Sequence, residues 1–124
     1  MGGHEGVVKI QLEREDINPE KPDNDGVTPL SFAASSGHGE VVKALLGQEE
    51  VSPDRPDDSG QIPLSFAAWY GHEEVVKILL MQEEVNPDKL DNFGKTPLSF
   101  AIRRSRNRVV ALLESRNAAT PSAG

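Results

Sequence analysis

Three histidines, His4, His38 and His72, recur at a spacing of 34 residues and are the obvious candidates for metal ligation. A zinc ion needs its ligands about 2 Å from one centre. Equivalent residues on successive stacked helical units lie ~10 Å apart, so the three are read as turn residues whose imidazole nitrogens satisfy backbone groups, with Arg106 at the same place one unit later. The carboxylates Asp23 with Asp25, Asp57 with Asp58, and Asp91 invite an acid/base or calcium reading. No EF-hand spacing follows them, and nothing in the chain supplies a nucleophile beside a base, an oxyanion hole or a phosphate loop. Aspartate in a turn commonly bonds its own backbone, and Glu49, Glu50, Glu83 and Glu84 read as solvated. There is no cysteine, hence neither a disulfide nor a thiolate site. The expectation is a protein with no catalytic, cofactor or metal site.

Two other clusters carry binding chemistry. Trp69 and Tyr70, the single tryptophan and the single tyrosine, sit together where equivalent positions hold Ser35 and Ser36 or Arg103 and Arg104. Trp, Tyr and Arg dominate interface hot spots, where truncation often costs ~2 kcal/mol or more. Phe93 stands alone in a polar turn and is expected either to pack near Tyr70 or to meet a partner. Arg103, Arg104, Arg106 and Arg108 form a basic cluster suited to a phosphate, an acidic lipid or an acidic peptide. Its bland reading is a solubilising terminal face. Phe32, Phe66 and Phe100 repeat in every unit, which favours packing between units over binding.

The elements that must position these residues are set by one internal repeat. GVTPLSFAASSGHGEVVKALL (26–46) returns as GQIPLSFAAWYGHEEVVKILL (60–80) and as GKTPLSFAIRRSRNRVVALLE (94–114). A period of this length means supersecondary units that bury their apolar faces by stacking on neighbours. Pro29, Pro63 and Pro97 suit the first turn of a helix, and Thr28 and Thr96 can cap it. Ile62 lacks that hydroxyl, a loss of about 1 kcal/mol that packing could offset. Leu30, Ala33 and Ala34, then Leu64, Ala67 and Ala68, then Leu98, Ala101 and Ile102 mark the buried side of each first helix. Val41, Val42, Leu45 and Leu46, and Val75, Val76, Leu79 and Leu80, place one apolar face on each second helix. QEEVSPDRPDDSG and QEEVNPDKLDNFG read as extended arms with tight turns. Gly3-His4 and the following apolar residues match only the second half of a unit, so a half repeat at 3–22 is expected before repeats 23–56, 57–90 and 91–114. Residues 115–124 read as a flexible tail.

The chain has 124 residues and a net charge of −7, which argues against nonspecific nucleic-acid affinity. The charge is uneven: residues 1–100 hold 19 acidic and 8 basic side chains, residues 101–124 hold 1 and 5. A solenoid converts that asymmetry into a spatial dipole. No apolar run approaches the ~20 residues of a membrane span, and a cytosolic setting is expected.

These units resemble the ankyrin repeat, with its Gly-x-Thr-Pro-Leu start, Ala-Ala, Gly-His turn and Leu-Leu helix, over about residues 3–114. The connections are similar to a variant found in long fungal arrays, often attached to receptor-like proteins. Ser31, Ser65 and Ser99 depart from the family where it often has histidine. The implied fold is an all-α solenoid of helix-turn-helix units joined by β-hairpin-like loops. The implied function is non-catalytic protein binding through the concave face and hairpin tips. By this resemblance the groove is lined by Ser35, Ser36, Trp69, Tyr70, Arg103 and Arg104, and the tips present Asp25, Val27, Ser59, Gln61, Phe93 and Lys95. Two rival readings remain: a spacer within a longer array that self-associates weakly through its ends, and an anion or nucleic-acid site at the arginine cluster.

Overall fold

Each unit opens on a proline at the first position of a helix, and in a computed structural model, which describes residues 20–119, six helices follow from this plan. They are α1 (Pro29–Ser36), α2 (Gly39–Leu46), α3 (Pro63–Tyr70), α4 (Glu73–Leu80), α5 (Pro97–Arg103) and α6 (Asn107–Ala119). The half repeat expected at 3–22 lies outside the described residues except for 20–22, and His4 lies outside them altogether. Helix α6 runs to Ala119, past the expected start of the tail at 115; residues 120–124 are not described.

The helix starts show three ways of capping one backbone. Thr28 Oγ1 accepts from the Ser31 N–H at 3.2 Å. At α5 the exchange is reciprocal: Thr96 Oγ1 accepts from the Ser99 N–H, and Ser99 Oγ accepts from the Thr96 N–H at 2.9 Å. Ile62 has no oxygen to offer, but its own N–H donates to Ser65 Oγ at 3.3 Å, and its side chain is fully buried. Packing there replaces the missing cap. The hydroxyls of Ser65 and Ser99 thus serve the helix start, whereas the buried Ser31 hydroxyl has no hydrogen-bond partner.

First helices stop in the left-handed region, at Gly37 (φ 76°), Gly71 (φ 73°) and, in the third unit, Ser105 (φ 58°). The glycines also leave room for the next unit. A Cβ on Gly37 would lie 2.6 Å from the His72 ring, and one on Gly71 would lie 2.7 Å from Arg106. Ser105 carries a side chain in a conformation that costs a non-glycine residue about 1–2 kcal/mol.

The first helices α1, α3 and α5 pack side by side, as do the second helices α2, α4 and α6, and each first helix packs on its own second helix. Between the two rows runs one continuous apolar core built from Leu30, Ala33 and Ala34, the equivalent Leu64, Ala67 and Ala68, and the valines and leucines of the second helices. Val51 and Val85 anchor the connections into it. Ile102 departs from expectation. It occupies the place of buried Ala34 and Ala68 yet is exposed, because no described element covers that side of the third unit.

The tips are held by aspartate. Asp23, Asp57 and Asp91 each accept two backbone N–H groups on Oδ1, from the residues two and four further on, at 2.8–2.9 Å. Each also donates its own N–H across the turn, to Val27, Gln61 and Lys95 carbonyls respectively. Neighbouring tips are joined by the Asp58 N–H to the Asp25 carbonyl and the Asn92 N–H to the Ser59 carbonyl, both at 3.0 Å. No strand forms among the described residues, so these loops are hairpin-like turns stacked edge to edge.

Candidate partner-binding surface

The first-helix face is built from the positions of α3 that its core does not use. Leu64, Ala67 and Ala68 are buried in the core, which leaves the buried Ser65, the half-buried Phe66 and Trp69 and the exposed Tyr70 on the rest of the helix. Residues three and four apart share a helical face, so Phe66 neighbours both Trp69 and Tyr70. Together with Gln61 from the tip and Phe100 from α5, these residues enclose an open pocket of about 240 Å³. It is mostly apolar, with Gln61 and Ser65 the two lining residues that are not aromatic.

Specific contacts fix the aromatic walls. The Trp69 ring meets Phe100 edge-on, with centroids 5.6 Å apart and planes at 78°. The Arg104 guanidinium carbon lies 4.7 Å from the Trp69 ring centroid, a cation–π contact of about 0.5–1 kcal/mol at an exposed site. Tyr70 stacks on His72 at 6.2 Å. His72 in turn donates Nε2–H to the Ser35 carbonyl at 3.0 Å, which sets its tautomer. Gln61 Nε2 donates to Asp91 Oδ2, so the amide in the pocket wall is oriented by the next unit's tip.

Of the residues singled out from the sequence, Gln61, Trp69 and Tyr70 line this pocket and Arg104 covers one wall. Ser35, Ser36, Phe93, Lys95 and Arg103 do not line it. Ser35 Oγ donates to the Phe32 carbonyl of its own helix. Phe93 is 73% exposed at the third tip, outside the pocket lined by Trp69 and Tyr70. Lys95 and Arg103 are exposed on the same unit.

Two expectations are corrected. The phenylalanine column packs between units only in part: Phe32 is 67% exposed, whereas Phe66 and Phe100 are half-buried walls of the pocket, Phe100 lying against Trp69 of the preceding unit. Repetition in a solenoid marks the open face as readily as the closed one, because every unit presents both. The i, i+3, i+4 relation of Phe66 to Trp69 and Tyr70 was the signal in the sequence that could have found it. The arginine cluster is also divided. Arg106 donates Nε–H to the Trp69 carbonyl at 3.1 Å, the role His72 has toward Ser35, and Arg108 lies 3.8 Å from Glu73 on the second-helix side. Only Arg103 and Arg104 remain on the first-helix face.

With this geometry in hand, the family is settled by comparison. The model described as "Ankyrin repeats (3 copies)" matches residues 1–91 and 50–122, and the chain belongs to the ankyrin-repeat family. Members of this family generally serve as protein–protein interaction modules and are typically non-catalytic. No curated protein matches the chain significantly. No helix among the described residues is long and apolar enough to cross a membrane.

Proposed function

We propose that the chain is a non-catalytic binding module that holds a protein partner across its first-helix face and turn tips, centred on the pocket of the second unit. The observation that carries this reading is the open pocket at Phe66, Trp69, Tyr70 and Phe100, which gathers aromatic side chains from two adjoining units into one solvent-open cleft. Ser35, Ser36, Phe93, Lys95 and Arg103 flank it as secondary contacts. An aromatic anchor in a shaped pocket with a polar rim is the usual anatomy of an interface hot spot. Affinity capture with the wild-type chain and with Trp69→Ala tests it. The variant is expected to lose partner at least about tenfold, equivalent to ~1.4 kcal/mol, with Tyr70→Ala as an exposed second variant and melting curves as the control for folding. Equal recovery of the same partners by all three chains would refute the reading.

A further inference from the structure

We propose that the pocket and Arg104 together select an acidic peptide segment, one in which a bulky apolar side chain has Asp or Glu within about two residues. This rests on the functional reading above and adds the chemistry of the partner.

The volume sets the first half of the motif. At about 240 Å³ the pocket falls below the ~300–1,000 Å³ of sites for drug-sized ligands, and its open, mainly apolar walls suit one large side chain of a chain passing over them. Four aromatic walls would also suit an organic cation. Here the face of Trp69 is already occupied by a guanidinium, and no carboxylate lines the pocket, so a second cation would be repelled.

Arg104 sets the second half. Its guanidinium carbon lies 4.7 Å from the Trp69 ring centroid and the residue is exposed, so a guanidinium fork of the kind that matches a carboxylate is held beside the pocket in reach of solvent. Among the described residues neither Arg104 nor Arg103 has a carboxylate partner, in contrast to Arg55 and Arg108, which are paired with Glu20 and Glu73. Lys95 adds a third exposed cation on the same unit, again without a carboxylate. The tips of the first two units present Asp25 and Asp58 instead. The surface is therefore cationic on the third-unit side of the pocket and anionic on the tips before it. Arg104 stands 4.7 Å from a ring that is itself a pocket wall. An extended chain advances ~3.3 Å per residue, which places the acidic residue one or two positions from the apolar anchor.

Selection of a phage-displayed library of random linear peptides on the full chain tests the motif. Enriched sequences are expected to share a bulky apolar residue with Asp or Glu within two positions. Binding of the best synthetic peptide should fall at least about tenfold with Arg104→Ala, and selection on Arg104→Glu should replace the acid with Lys or Arg. Both substitutions are at an exposed position and leave the stacking core untouched. Peptides that are lost with Tyr70→Ala but show no acidic preference would overturn this inference and leave the functional reading standing. No enrichment, or enrichment indifferent to Tyr70→Ala, would overturn both. Displacement of the peptide by an oligouridylate, in a salt-sensitive manner, would overturn the inference in favour of a nucleic-acid site.

Discussion

The turn after the first helix has one backbone course in the second and third units but two chemistries. Trp69-Tyr70-Gly71-His72 and Arg103-Arg104-Ser105-Arg106 both leave the helix through a left-handed residue at the third position. In the second unit an imidazole reaches back to a carbonyl of the preceding helix, and in the third a guanidinium does so, at 3.0 and 3.1 Å. The first two positions of each turn differ completely, aromatic in one and cationic in the other, and meet where Arg104 lies on Trp69. The fourth position is held by a structural task that two unlike side chains can perform. The first two have no such task and are free to carry recognition.

Exchanging the third positions should break the likeness most strongly. Gly71→Ser places a Cβ in the left-handed region and 2.7 Å from Arg106, and is expected to lower stability by about 2 kcal/mol. The reverse change, Ser105→Gly, should raise it by about 0.5–1 kcal/mol, the left-handed cost less the entropy of an added glycine. Thermal melts followed by circular dichroism measure both, and equal losses from the two would mean that the turns are not equivalent. A smaller effect sharpens the fourth position. His72→Ala is expected to cost about 1 kcal/mol, the net value of one hydrogen bond, whereas His72→Arg should stay within about 0.5 kcal/mol of wild type, because Arg106 already performs the same task one unit later. Denaturant titration separates these outcomes.

The smallest effect belongs to a different link, between the first and second units. Asp54 Oδ2 accepts the Asn86 N–H at 2.7 Å. Burial raises the Asp54 carboxyl above the usual carboxylate range, outweighing the opposing influence of that hydrogen bond and of Lys89. A raised folded-state value means that folding disfavours the charged form, so this group's contribution is best below its unfolded pKa and is lost as pH rises through the folded one. Asp54→Asn, which keeps an acceptor for the Asn86 N–H, is expected to raise the melting temperature slightly at about pH 7 and not at about pH 3. A gain confined to acid would reverse the assignment.

The fold could be read from the repeat because helix starts, turns and apolar faces are local signals written three times. Pro29, Pro63 and Pro97 with their capping neighbours, the glycines after α1 and α3, and the valine-leucine faces of the second helices each report on a few adjacent residues. Stacking then follows, since a unit with an open apolar face has nowhere else to bury it. Part of the site was legible on the same grounds: Trp69 and Tyr70 break the repeat, and a break is visible in one dimension. The rest was decided between units. Phe66 and Phe100 obey the repeat, so their sequence says only that every unit has such a residue, and the tertiary packing made them walls of one pocket rather than core. Likewise, of four arginines that look alike in the chain, three were sorted by contacts 35 to 37 residues away: Arg106 to a backbone carbonyl, Arg108 to Glu73, Arg104 to an indole face. Sequence determines what each unit presents; only the juxtaposition of neighbouring units determines what those presentations meet.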